Sequence, residues 1–418
     1  MTGPEVVTFG CRVNAYESEV IRARAMECGL GNVVIFNTCA VTAEAVRQSR
    51  QAIRSRRRDD PHAKIIVTGC AAQIEPATYA AMPEVDLVLG NHEKLEPASY
   101  RDFGIGASER VRVNDIQAVR ETAAQFVENF DGRTRAFLQI QNGCDHRCTF
   151  CIIPFGRGPS RSVPMGAVVE QARKLALRGY AEIVLTGVDL TAYGADLPGR
   201  PSLGHLVRKL LRLVPEIVRL RLSSLDSIEA DSELLRAIAE EERLMPHFHL
   251  SAQAGDDLIL KRMKRRHSRS DTIAFCDEVR RLRPEAAFGA DLIAGFPTET
   301  EAMFAKTLDL VDEASLTYLH VFPFSPRQGT PAARMPQVPR PLVKERAAQL
   351  RAKGAQSLRK HLETLRGSEQ MLHVEKRGHG RTPCYAPARF DAPTRPGDLL
   401  RVQITGSTED HLTAVAFR

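Results

Sequence analysis

No stretch of eighteen apolar residues occurs in this 418-residue sequence, and Met1 to Cys28 holds no basic segment ahead of an apolar block. The first absence argues against a membrane-spanning helix, the second against export. A cytoplasmic protein with no membrane partner is the expectation. Cysteines number nine, an odd count, which disfavours a disulfide framework and makes metal binding or plain burial the default. Apolar residues at 43% and charged residues at 26% exclude a disordered or fibrous chain. A formal charge of +7 and a pI near 9.0 favour an acidic partner such as RNA without establishing one.

The chain is too long for one hydrophobic core, and its pattern changes character twice. Apolar, β-branched runs at Val6–Phe9, Val33–Phe36, Ile65–Thr68 and Leu87–Leu89 read as strands. Helical patterns near Asn14–Cys28, Thr42–Arg57 and after Gln73 separate them. That alternation predicts a parallel sheet covered on both faces. A polar stretch, Asn91–Asp131, reads as a connection. Six further strands follow at Phe137–Ile140, Ile183–Leu185, Val218–Leu222, Phe248–Leu250, Phe288–Leu292 and Tyr318–Phe322, with helices between most of them. They fit either a partial barrel or an open sheet. A proline-rich segment leads into a charged helix, Leu342 to about Leu365. The runs Gln370–Lys376, Cys384–Phe390, Leu399–Thr405 and Leu412–Phe417 then suggest a small β-barrel.

The run Cys144-Asp-His-Arg-Cys148-Thr-Phe-Cys151 places three cysteines in one short loop after a strand. Such a loop can wrap three thiolates around one face of an iron–sulfur cubane and leave one iron open. A zinc knuckle completed by His146 is the weaker reading. Cys11, Cys39 and Cys70 each follow a predicted strand, in the settings Phe9-Gly-Cys11, Asn37-Thr-Cys39 and Gly69-Cys70. Carboxyl ends of parallel strands share one edge, so these three should converge. Helix N-termini beyond them favour thiolate charge. One such cysteine would be read as a buried small hydrophobe; three in the same register point to a second cluster with an open iron. Cys28, Cys276 and Cys384 lack such a setting and are expected to be buried.

The C-x3-C-x2-C run, with Phe150 before its last cysteine, resembles the radical-SAM signature. With both triads placed, nearly the whole chain resembles the radical-SAM methylthiotransferases, and among them the tRNA threonylcarbamoyladenosine group. The segments that carry this are Thr8-Phe-Gly-Cys-Arg-Val-Asn14, Tyr16-Glu-Ser-Glu19, Asn37-Thr-Cys-Ala-Val-Thr42, Arg47-Gln-Ser-Arg50 and Gly69-Cys-Ala-Ala-Gln73. Ile153–Gly158, His249–Gln253, Asp291–Pro297 and Phe324–Thr330 complete the set. The resemblance implies an α/β fold of three domains. These are an N-terminal doubly wound parallel sheet over 1–125, a partial (βα)6 radical-SAM barrel over 130–365 and an RNA-binding all-β TRAM barrel over 366–418.

It also implies two [4Fe-4S] clusters, on Cys144/Cys148/Cys151 and on Cys11/Cys39/Cys70, with S-adenosyl-L-methionine at the first. The expected reaction replaces the C2 hydrogen of N6-threonylcarbamoyladenosine at position 37 of tRNA with a methylthio group. The tRNA anticodon stem-loop and a flavodoxin- or ferredoxin-type electron donor are the expected partners. Candidates for the S-adenosylmethionine pocket are Phe150, Arg157, Gly187, Asp189, Ser224, Gln253 and Arg265. Gly187 would let backbone approach the amino group, Asp189 would neutralise it, and Arg265 would pair with the carboxylate. Arg54–Arg58 and Lys261–Arg266 are basic runs that could meet RNA. Pro383 and Cys384 depart from the usual TRAM turn. Sister groups act on isopentenyl-adenosine in tRNA or on a ribosomal-protein aspartate, and Arg12-Val-Asn14 and Arg47–Arg50 favour the threonylcarbamoyl group over both. A non-enzymatic redox or RNA-binding protein is the distant alternative, disfavoured because a structural cluster would be fully ligated.

Overall fold

The computed structural model describes residues 3–417, except 102, 104–108, 121–124, 126, 128, 129 and 131. Part of the predicted connection, including Asp131, lies outside the described residues. The first sheet holds β1 Glu5–Thr8, β2 Val33–Thr38, β3 Lys64–Gly69, β4 Leu87–Leu89 and β5 Val111–Arg112, all parallel. The order is sequential, β1-β2-β3-β4-β5. β5 was not foreseen, because two residues give no periodicity to read. Every residue of β2 is buried, since helices cover both faces. α1 Arg12–Glu27 packs Ile21 and Ala25 on Val33, Ile35 and Ile66, whereas α2 Ala43–Asp59 packs Ile53 against Val34, Phe36 and Val67 on the other face. α3, Cys70–Ile74, begins directly at the end of β3.

The opposite side of α1 faces the second unit. Ala15, Tyr16 and Val20 belong to the same apolar core as the barrel residues Leu138, Ile140 and Val168. Helix α1 is therefore buried nearly all round, and its polar residues Asn14, Glu17 and Ser18 are buried with it.

The second unit has β6 Ala136–Gln139, β7 Gln141–Asn142, β8 Arg161–Ser162, β9 Glu182–Thr186, β10 Arg219–Leu222, β11 Ser224–Leu225, β12 His247–Gln253, β13 Ala287–Ala294 and β14 Leu316–Pro323. Two parallel sheets, β10-β9-β6 and β11-β12-β13-β14, meet where β11 continues β10 beyond Ser223. The result is the partial barrel, with helices outside. The antiparallel pair β7/β8 ties off the two ends of the loop that carries Cys144, Cys148 and Cys151.

Helix Arg340–Thr364 leads to a closed barrel of β15 Glu369–Lys376, β16 His379–Arg381, β17 Pro387–Phe390, β18 Leu399–Ser407 and β19 Leu412–Ala416, in the order β15-β16-β17-β19-β18. The sequence pattern missed β16 and began the next strand too early, at Cys384. Gly380 explains the first miss: a Cβ there would lie 2.8 Å from the His373 carbonyl oxygen, so the crossing demands the residue that weakens a strand signal. Thr382–Ala386 is a turn, in which the Thr382 hydroxyl accepts from Ala386 N.

That turn docks the small barrel under the large one. The Pro383 carbonyl accepts from Arg221 at 3.2 Å, and Arg221 also forks onto the buried Glu182 at 2.9 and 3.0 Å. Tyr385 lies under the Arg221 and Arg381 guanidinium groups and stacks on His247. The departure at Pro383 and Cys384 thus serves packing. Cys276 and Cys384 are buried as expected, whereas Cys28 is only partly so and donates to the Pro97 carbonyl at 3.5 Å.

His361 and His373, at this junction, are both pushed down to about 4, mainly by burial. A histidine with a folded pKa below its free value of about 6.5 is held neutral by the fold. Its contribution is complete above about pH 6.5 and is lost as pH falls toward 4. Chemical denaturation at pH 7 and pH 5 should therefore show a loss of roughly 1–2 kcal/mol per histidine. His373→Gln should flatten that pH slope; an unchanged slope would contradict the assignment.

Candidate active site

The first triad stands on the carboxyl edge of the N-terminal sheet. Cys11 is the N-cap of α1, with no side-chain cap, so helix N–H groups remain to favour a thiolate. Cys39 follows β2 and Cys70 follows β3. Two glycines allow the convergence: Gly10 and Gly69 both have φ of +93°. A Cβ on Gly10 would sit 2.8 Å from Cys39 Sγ, and one on Gly69 would sit 2.4 Å from the Thr38 backbone. The three thiols feel one another. Cys39 is pushed up to about 12, first by burial and then by Cys70 and Cys11.

Behind this triad lies a buried ionic network that joins the two large units. Arg157, from the short helix Ile153–Arg157 after the cysteine loop, donates Nε to Cys70 Sγ at 3.1 Å. Its other nitrogens reach Glu17 and Asn14 of α1, and Asn142 of β7 at 3.3 Å. Lys94 Nζ donates to Glu17 Oε2 and Asn91 Oδ1, each at 2.7 Å. Side chains of Lys94, Glu17 and Arg157 are 0%, 1% and 2% exposed. Burial alone would raise Glu17, but Arg157 and Lys94 override it and hold the carboxyl below its usual range. Burial pushes the Lys94 ammonium below its usual range, so the firm positive charge of the network is the Arg157 guanidinium, which faces Cys70. A site that carries anionic sulfur fits that charge.

The second triad opens onto a cavity at the carboxyl end of the barrel. Cys144, Cys148, Cys151, Phe150, Asp189 and Arg265 are among its lining residues, together with Ser224 and Gln253. Cys148 is held below its usual value: burial raises it, and His146 and Arg265 outweigh that. Cys144 is pushed up by burial and by Asp189, whose Oδ2 lies 3.8 Å from its Sγ. Cys151 rises to about 12 through burial and Cys148, with Cys70 adding to it from the other triad. Gly156 tells the same story of proximity, since a Cβ there would lie 3.2 Å from Cys70 Cβ. All nine cysteines are free. Cys70 of the first triad thus lies near Cys151 and near the helix that follows the second triad, and each triad offers three thiols.

Two predicted pocket residues stand elsewhere. Arg157 lies with Cys70 and Glu17 rather than in the cavity. Gly187 is packed on Gln141, whose Oε1 accepts from Val188 N and Asp189 N at 2.9 and 2.8 Å. The turn there orients Asp189; Val188, not Gly187, meets the cavity. Arg265 is partly engaged, donating to Asp226 Oδ2 at 2.7 Å and approaching Cys148 Sγ at 3.6 Å, while its buried Nε has no partner among the described residues. Asp226, Ser251 and His146 also line the cavity; the first two were not singled out, although Ser251 directly follows a predicted strand. Gln253 takes φ of +67°, a left-handed conformation at the end of β12 that turns its side chain to the cavity wall. Glu17 was also missed, since a charged residue on a helical pattern reads as solvated, and so were Asn91 and Lys94, which stand in a polar stretch that reads as a connection.

Both basic runs are largely engaged within the chain. Arg57 binds the Glu84 carbonyl and Asp86 Oδ2, each at 2.7 Å, and Arg56 pairs with Glu5. Arg262 binds Thr298 Oγ1 at 2.8 Å, and Arg266 pairs with Glu229.

Known proteins resemble this arrangement. The description Radical SAM superfamily matches residues 138–311, and Uncharacterized protein family UPF0004 matches residues 5–90. The threonylcarbamoyladenosine tRNA methylthiotransferase MtaB of Rickettsia prowazekii (strain Madrid E) is 52% identical, over 98% of this chain and 97% of that one. The chain belongs to the threonylcarbamoyladenosine tRNA methylthiotransferase family. The family member of Thermotoga maritima is 37% identical over 88% of this chain and 86% of its own. A tRNA-2-methylthio-N(6)-dimethylallyladenosine synthase of Erythrobacter litoralis stands further off at 33%, over 96% and 94%. Among solved structures, the radical S-adenosylmethionine methyltransferase TsrM of Kitasatospora setae shares the fold, with a TM-score of 0.53 and 16% identity, covering 75% of this chain and 66% of that one.

In this family member, Glu17→Gln should leave Arg157 as an uncompensated buried cation and push Lys94 further down. The expected cost is roughly 3–5 kcal/mol, read from chemical denaturation. A change below about 1 kcal/mol, the level of an exposed pair, would refute the network's role.

Proposed function

We propose that this enzyme converts N6-threonylcarbamoyladenosine at position 37 of tRNA to its 2-methylthio derivative. The observation that supports the reading is the nearness of two three-thiol sites, Cys70 of one acting on Cys151 of the other, in a chain 52% identical over nearly its full length to a methylthiotransferase of that name. The 33% identity to the dimethylallyladenosine enzyme makes the isopentenyl substrate the weaker choice.

Clusters on Cys144/Cys148/Cys151 and on Cys11/Cys39/Cys70, with S-adenosylmethionine, supply the 5′-deoxyadenosyl radical and the sulfur when bound. The chain's residues prepare the ground. Asp189 presents a carboxylate for the cofactor ammonium, and the unpartnered Nε of Arg265 suits its carboxylate. Ser224 and Gln253 offer hydrogen bonds from the cavity wall. Phe150 packs edge-on against Phe296 and keeps water from that side. Arg157 keeps positive charge beside Cys70, which stabilises anionic sulfur there and fixes the spacing of the triads.

The division into 1–125, 130–365 and 366–418 follows from the same reading, with the last unit meeting the anticodon stem-loop. A flavodoxin- or ferredoxin-type protein is proposed as electron donor. Among the described residues no helix is long and apolar enough to cross a membrane.

Anaerobically reconstituted protein, given dithionite, S-adenosylmethionine and tRNA bearing threonylcarbamoyladenosine, should yield the 2-methylthio nucleoside by mass spectrometry. Turnover of isopentenyl-adenosine tRNA instead would overturn the assignment. Cys144→Ala should abolish 5′-deoxyadenosine release. Cys39→Ala should retain most of that release and lose sulfur insertion; equal loss of both would show that the triads do not act separately.

A further inference from the structure

A second cavity lies between the start of α1 and the strands β6, β9 and β10, beside the junction with the C-terminal barrel. Arg12, Arg133, Arg135 and Arg221 line it, against a single lining carboxylate, Glu375. Arg135 pairs with Glu182 and Glu375, with its Nη2 left unpartnered among the described residues, and Arg221 pairs with Glu182. Arg133 lies over the Phe137 ring, 5.3 Å from its centroid. Arg12 has no ion-pair or hydrogen-bond partner among the described residues, although its side chain is partly buried. His247, 4% exposed and with neither ring nitrogen partnered, is held neutral by burial, Arg221, His249 and Arg12. The cavity is thus a half-enclosed space with positive charge left over, and a ligand anion would complete it.

Its position gives that anion a source. Arg12 follows Cys11 directly, so the cavity wall and the first triad are adjacent residues of one chain segment. In adenine, C2 and the carbon that bears N6 flank the same ring nitrogen. A base with C2 toward the triad therefore extends its N6 substituent to one side, within the reach of an arginine side chain on the next residue. Resting on the substrate assignment above, we propose that this cavity is the subsite for the N6 substituent, with Arg12 the specificity-determining cation for its carboxylate. A neutral alkyl substituent leaves that guanidinium buried deeper and still unpaired, so the subsite selects acidic nucleosides by penalising neutral ones.

Binding of three anticodon stem-loops of identical sequence to the reconstituted holoenzyme tests this. They carry adenosine 37 bearing threonylcarbamoyl, its methyl ester, or no substituent. Wild type should prefer the free acid over the ester by about 10- to 100-fold, the range for a hydrogen bond to a charged group. Arg12→Gln should erase that preference while changing affinity for the unsubstituted loop less than about twofold, and Arg12→Lys should restore part of it. Equal weakening of all three loops by Arg12→Gln would assign Arg12 to a backbone phosphate and overturn the proposal. So would a wild-type enzyme indifferent to esterification, a measurement that needs no variant to fold. Turnover of the threonylcarbamoyl tRNA by wild type tests the substrate assignment separately: it can succeed while the ester comparison fails.

Discussion

The guanidinium of Arg157 is the point on which the two catalytic halves depend. It arises from the cysteine loop of the barrel, yet all its side-chain partners but Asn142 belong to the N-terminal unit: Glu17 and Asn14 on α1, and Cys70 at the end of β3. A fork of this shape fixes direction as well as distance. Movement of the sheet relative to the barrel would strand a charge in the interior, and that cost keeps the triads at one separation. Buried ion pairs are poor sources of net stability, because desolvation offsets attraction. Here the network's value lies in geometry.

The C-terminal barrel is attached by the same logic at the other end. Glu182, buried at the start of β9, gathers Arg135 and Arg221, and Arg221 in turn holds the Pro383 carbonyl. Tyr385, at φ of +75°, accepts the strained conformation that brings its ring under these arginines. A module expected to face RNA is therefore oriented by contacts beneath the barrel rather than by its linker helix alone.

Much of this was legible beforehand, and the reason is chemical. Thiols at strand ends and in a tight loop are uncommon enough to stand out, so the positions of Cys11, Cys39 and Cys70 at strand ends and of Cys144, Cys148 and Cys151 in one loop were readable from their settings. The strands rich in Val and Ile, such as β2 and β3, were equally plain. What stayed hidden needed the third dimension. Lys94 sits in a polar stretch that reads as a connection, and only folding shows its ammonium to be interior. Gly187 resembles a residue that yields to a ligand, whereas the structure makes it yield to Gln141. Arg265 was placed correctly at the cavity, but its main partner, Asp226, could not be inferred from a position one turn past a strand.

Helix α1 serves two cores at once, with Ile21 and Ala25 on the sheet and Ala15, Tyr16 and Val20 on the barrel. It also precedes the barrel strands β6 and β9 in the chain. Its sheet-side surface is matched within a few dozen residues, but the barrel-side surface stays bare until β6 and β9 have been made. For that interval the nascent chain carries an apolar stripe with no intramolecular cover, which makes the N-terminal unit a natural client for holding chaperones and a poor candidate for expression by itself.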